Sequence, residues 1–181
     1  MGGRRKRDIV STVRPLARCQ SELHGVAHWA RVCRFGEYLA RRMLLPDRYA
    51  DCVSVFAWTH DLARINDEGG REHAIDGARY LDTVAPIAFP SLLPEQHAIV
   101  RTAIHYHSHG CATDEAKYQG WFEGLEGDRS KILDTVACCW DADRLDLLRL
   151  GFEPDPARMS TPYWDELVPL AKRLNRFDRL W

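Results

Sequence analysis

The chain carries eight histidines, scattered along its length rather than gathered in one tract. Several of them continue stripes of apolar residues at helical spacing. Stepping back by three or four from Leu39, Phe35 and Val32 reaches His28. Stepping forward from Tyr49, Val53 and Phe56 reaches His60, with Asp61 immediately after it. Val100 and Ile104 lead to His107, and Ile132, Val136 and Cys139 lead to Asp143. Residues on one stripe share one face of a helix, so four separate segments aim an imidazole or a carboxylate toward the core. Burying such groups without partners costs several kcal/mol, and convergence on a cation removes that cost. Imidazole and carboxylate donors suit a divalent metal: Mn, Fe, Co, Ni or Zn, or Mg where carboxylates dominate. A single histidine on an apolar face is more often a hydrogen-bonded core residue. Here the coincidence of positions carries the metal reading.

Asp143 sits in the run Asp141-Ala142-Asp143-Arg144-Leu145-Asp146, which a salt-bridge ladder on a helix surface would also produce. At about 100° per residue, Asp141 lies about 200° away from Asp143 around the helix. Asp143 is therefore the inward residue, and Asp141 a candidate to support a ligand. Trp29, Trp58, Tyr106 and Trp140 either form a stacking wall for a nucleobase or belong to the core.

The elements that must position these groups are helices. Apolar spacing predicts them over about 21–42, 47–62, 71–84, 95–109, 128–150 and 162–177. Ser21 is the expected N-cap of the first, Pro86 the stop of the third, and Gly110 and Gly151 the ends of the fourth and fifth. Residues 66–70 read as a loop, and 111–127 show no clear pattern. No stretch alternates with period two and no repeat is visible, so the expected architecture is an all-α bundle. Residues 1–19, with Arg4, Arg5, Lys6 and Arg7, are expected to form a solvated basic arm before one helical domain over 20–181.

A chain of 181 residues fits one domain. Its formal charge of −1 creates no global field for nucleic acid or an acidic membrane. No apolar run approaches the roughly 18 residues of a membrane span, and the opening MGGRRKRD lacks the apolar stretch of a signal peptide. A cytoplasmic protein is expected. The six cysteines form no CxxC pair, which points to reduced thiols rather than a thiolate metal site.

The order His28 followed by Arg31-Val32, then His60-Asp61, then Ala142-Asp143-Arg144-Leu145 resembles the HD superfamily of metal-dependent phosphohydrolases, over about residues 21–151. The resemblance implies an HD-type helical domain in which His28, His60, Asp61 and Asp143 bind one metal and Asp61 also orients the attacking water. His73, opening His73-Ala-Ile-Asp-Gly77-Ala78, and His107 are similar in position to the extra ligands of binuclear members. One tightly held metal is expected, with these two histidines as phosphate contacts or a weak second site. Arg64 stands where many phosphodiesterase members carry a lysine after His-Asp, which keeps a cation for phosphate and weakens a cyclic-dinucleotide assignment. Arg64 and Arg31 are candidates to bind phosphate oxygens in bidentate fashion. His24, His105 and His109 are alternative ligands or supporting groups, and His97 is expected at the surface.

The activity so implied is hydrolysis of a phosphate ester or phosphoanhydride of a nucleotide or small phosphometabolite by a metal-activated water. Whether a monoester, a diester or a pyrophosphate is cleaved stays open. Two competing readings are a non-catalytic, metal-containing HD sensor or scaffold, and a helical regulator binding nucleic acid through Arg4–Arg7. A small phosphorylated molecule is the expected partner, rather than a membrane or nucleic acid.

Overall fold

The apolar stripes of the sequence meet in one core. The computed structural model describes residues 3–19, 21–68 and 70–174, with the backbone alone for residues 3–7. Among them the chain forms helices and no strand: α1 (Gly3–Val13), α2 (Val26–Arg42), α3 (Asp47–Thr59), α4 (Glu72–Ala88), α5 (Pro94–Tyr106), α6 (Thr113–Tyr118), α7 (Arg129–Asp146) and α8 (Val168–Leu174). The fold is all-α. Helix α2 packs on α3 and α7, α3 also packs on α5 and α7, and α4 lies along α5. Val32, Phe35 and Leu39 of α2 thus meet Val53 and Phe56 of α3, Val100 and Ile104 of α5, and Ile132, Val136 and Cys139 of α7, all buried in one cluster. None of the described helices is long and apolar enough to cross a membrane.

Several boundaries differ from the sequence reading. Ser21 does not cap α2: its hydroxyl accepts from the His24 amide (2.8 Å) within a preceding turn, and α2 begins after Gly25. Pro86 lies inside α4 rather than ending it. It sits on the exposed face, where solvent can satisfy the carbonyl that its missing N–H leaves unpaired. Helix α3 stops at Thr59, and residues 60–63 turn with i to i+3 bonds, Leu62 N to Thr59 O (3.2 Å) and Arg64 N to Asp61 O (3.1 Å). The segment expected as a solvated arm contains α1, which lies against α4 with Ile9 and Val13 in the core. The side chains of Arg4–Arg7 are outside the described residues. The predicted last helix is split into a 3-10 turn (Trp164–Leu167) and α8, and residues 175–177 of that prediction also lie outside the described residues.

One glycine sets how closely α4 approaches the site. A Cβ on Gly77 would lie 2.9 Å from the His60 carbonyl oxygen and 3.0 Å from Ile104 Cγ2. Without that Cβ, α4 packs directly on the turn after α3, and His73, one helical turn earlier, reaches the cluster. Gly110, with φ of 72°, ends the 3-10 turn His107–His109 in the left-handed region that favours glycine.

Candidate metal centre

His28, His60, Asp61 and Asp143 converge in space. His28 Nε2 and His60 Nε2 are 3.0 Å apart. Asp61 Oδ2 lies 3.5 Å from each of them, and Asp143 Oδ1 lies 3.4 Å from each. His28, His60 and Asp61 are buried. Asp143 faces the cavity above, and Asp141 points the other way, as helical phase requires: wholly buried, it accepts from the amides of Ser160 (3.0 Å) and Thr161 (2.7 Å).

Tautomers follow from the outer nitrogens. His60 Nδ1 faces the Phe56 carbonyl (3.2 Å), and His107 Nδ1 faces the Ile104 carbonyl (2.6 Å). A carbonyl only accepts, so both Nδ1 atoms carry the hydrogen and both neutral rings turn an Nε2 lone pair inward. His28 Nδ1–H likewise donates to Asp146 Oδ2 (2.6 Å). In their neutral forms the rings of His28 and His60, with the carboxylates of Asp61 and Asp143, present an array of acceptors to one small space. Such a donor set fits a divalent cation. Asp146, Phe56 and Ile104 supply the outer partners that fix ring orientation.

A second donor set adjoins the first. His73 Nε2 and His107 Nε2 are 3.1 Å apart, and they lie 3.7 and 3.9 Å from Asp61 Oδ1. Asp61 therefore presents one oxygen to each set. Arg64 occupies part of the second: its Nε donates to Asp61 Oδ1 (2.8 Å) and its Nη2 to His73 Nε2 (3.0 Å), while Nη1 donates to the Glu68 carbonyl (3.0 Å). Ser108 Oγ also lies 3.0 Å from His73 Nε2.

The electrostatics of the two sets differ. Burial opposes a charge on His28, but hydrogen bonds to Asp143, Asp146 and Asp61 hold its pKa well above the usual value. Burial would raise Asp61 and Asp143. Electrostatic interaction with His60 and bonds from His24 and His28 keep Asp61 well below the usual carboxylate range, and bonds from His28 and His60 do the same for Asp143. A proton on His28 thus stands where a cation would compete. His73 and His107 go the opposite way, chiefly through burial, with repulsion from His107 added for His73 and from His60 for His107. Their pKa values fall to about 3 and about 4, so both rings are neutral at pH 7.

The remaining residues separate clearly. His24 Nδ1 lies 3.1 Å from Asp61 Oδ2 and forms an alternative donor set with His28. His105 packs edge-on to Tyr106, His109 packs edge-on to Tyr106 and Trp121, and His97 pairs with Asp82 (3.3 Å). Arg31, a candidate for phosphate, is not on the cavity wall: its buried guanidinium forks onto Asp146, with Nε to Oδ1 (2.5 Å) and Nη2 to Oδ2 (3.1 Å). Arg149 Nε adds a further bond to Asp146 Oδ2 (2.8 Å). Of the two readings of the aromatic residues, Trp29, Trp58 and Trp140 take the core one, and Tyr106 stacks on Trp121 at 4.2 Å. Asp146 was missed from the sequence. Its signal was its place three residues after Asp143, on the same face of α7.

A cavity of about 480 Å³ opens above the two donor sets. Its far wall is the segment 147–159, which runs over the cluster as a strap. Arg144 fastens it by donating to the Arg158 carbonyl while its other arm donates to the Cys111 carbonyl before α6 (2.7 Å), and Asp141 holds the amides just beyond the strap. No protein-family model matches the chain, and neither does any curated protein or solved structure.

Proposed function

We propose that the protein is a metal-dependent phosphohydrolase of the HD type, cleaving a phosphate ester or phosphoanhydride of a nucleotide or small phosphometabolite. The observation that carries this reading is Asp61, whose two oxygens face two imidazole sets at the floor of one open cavity. His28, His60, Asp61 and Asp143 would hold the principal ion. The chemistry such an ion would supply when bound is a lowered pKa for a water at the site and polarisation of a phosphoryl oxygen. Asp61, ionised, accepts a hydrogen bond from the attacking water and orients it. Arg64 lines the cavity, and its Nη groups retain donors for a phosphate oxygen. Asp146 holds His28 in the ligating tautomer and so acts as a positioning residue. The Asp61–His73–His107 set is the weaker cation position, because Arg64 already engages two of its donor atoms.

The test is metal analysis of the purified protein, then a phosphate-release screen over nucleotides and small phosphate esters with Mn, Co, Ni and Mg. Release that needs a divalent ion and disappears in Asp61→Ala is expected. A protein that takes up no ion and releases no phosphate would overturn the reading. Saturable nucleotide binding without turnover would move it to a sensor.

A further inference from the structure

The two ends of the cavity differ in chemistry. The floor is His28, Asp61, Asp143 and their neighbours, whereas the strap contributes Leu147, Phe152, Pro154 and Met159. Leu147 is 43% exposed and Phe152 62% exposed, although large apolar side chains gain from leaving water. Their backbone is held in place. Arg149 Nη2 donates to the Leu23 carbonyl (2.5 Å), Arg144 holds the Arg158 carbonyl, and Asp141 holds the Ser160 and Thr161 amides. Charged residues of the same stretch are paired with other protein groups: Glu153 with Lys172 (2.8 Å), Arg158 with Asp155 (3.3 Å), and Arg149 with Asp146. Leu147, Phe152, Pro154 and Met159 thus form an apolar patch within a wall that also carries the paired Arg149, Glu153, Asp155 and Arg158, and the patch faces a polar, acceptor-rich floor across a volume suited to a small molecule, the arrangement of a site that orients an amphiphilic ligand.

We propose that Leu147, Phe152 and Met159 form an apolar subsite that selects phosphate esters carrying an aliphatic or aromatic body, over inorganic polyphosphate and small polyol phosphates. This deepens the phosphohydrolase reading and rests on it for the phosphate end. The probes are methyl-, butyl- and hexylphosphonate, which resist hydrolysis, titrated calorimetrically into wild type, Phe152→Ala and Leu147→Ala, with and without Mn. Turnover of the matching alkyl phosphates is measured in parallel. Wild-type affinity should rise about 2- to 4-fold per methylene, the range between half and full burial of each group. The gradient should flatten in both variants and persist in Tyr118→Ala, which is exposed and off the cavity wall.

Affinity independent of chain length, or a gradient unchanged in Phe152→Ala, would overturn the subsite. Failure of every phosphonate to bind would overturn both the subsite and the phosphate reading. Chain-length-dependent binding without turnover would support the subsite and remove the hydrolase. Light scattering completes the test: a dimer that dissociates in Phe152→Ala would assign the apolar wall to a second copy of the chain and overturn the proposal.

Discussion

Replacing Arg64 with methionine should convert a protein with one tight ion into one that holds two. Arg64 donates to Asp61 Oδ1 at 2.8 Å and to His73 Nε2 at 3.0 Å, and both atoms belong to the second donor set. A cation entering that set must displace both bonds. Both bonds are donated by a cation, and a hydrogen bond to a charged group contributes about 1.5–3 kcal/mol, so at the lower end of that range the guanidinium opposes the second ion by about 3 kcal/mol. Removing it should tighten that position by roughly 100-fold. Methionine keeps the apolar stem of the side chain and loses the donors. Equilibrium dialysis against increasing Mn, with atomic emission to count the metal, should show one ion per wild-type chain where Arg64→Met already carries two. Phosphate release should fall in the same variant, because a donor to the phosphate is lost. A second-site affinity within about threefold of wild type would refute the claim that Arg64 holds that position closed.

Asp146→Asn should cost about 2 kcal/mol at pH 7, read from urea unfolding of the metal-free protein. Burial raises the Asp146 pKa, but bonds from His28 and Arg31 dominate and hold it at about 2 against 3.8 for a free aspartate, and each unit is about 1.4 kcal/mol. Because the folded pKa is the lower one, the wild-type advantage is complete above 3.8 and vanishes as pH falls through about 2; a gap that instead grew in acid would reverse the sign. Asp143→Asn should weaken metal affinity more than tenfold. Asp141→Asn should leave that affinity intact but cost about 1–3 kcal/mol by leaving a buried group unpaired, exposing the strap to protease, so equal metal losses in the two variants would disprove their division of roles. Gly77→Ala should destabilise by about 1–3 kcal/mol through overpacking on the His60 carbonyl, outweighing the helix propensity gained. A raised urea midpoint in that variant would show that α4 has room to move.

How far the site could be read beforehand depended on whether each residue lay on a periodic stripe. His28, His60, His107 and Asp143 each continue an apolar face, and each arrives at the cluster. Asp61, one residue and about 100° beyond His60, falls off that stripe, so it was legible only through its place in the His60-Asp61 pair. Arg31 reads as a phosphate candidate only while its partner is unknown; Asp146, far along the chain, takes both arms of its guanidinium. Helical phase turned Asp141 away from the donor cluster, but the Ser160 and Thr161 amides it meets come from an irregular segment. The strap itself has 3-10 turns and extended links, so no period marked it as a wall of the cavity. Pro86 misled because a proline ends a helix most strongly where its orphaned carbonyl is buried, and here that face is exposed.

The fastening of the strap has a consequence for how the chain can vary. Asp141 grips amides and Arg144 grips carbonyls, groups that every residue type presents save for the amide missing in proline. These bonds are therefore indifferent to which side chains the strap carries, with Arg149, which reaches Asp146 and the Leu23 carbonyl, as the exception, while both gripping residues sit on the helix that also bears Asp143. Mutational drift at Phe152 or Met159 can remodel what the cavity accepts without unfastening its wall or moving the carboxylate beneath it. Evolution, or a combinatorial library over 152–159, has there a surface to rewrite on a frame that stays put.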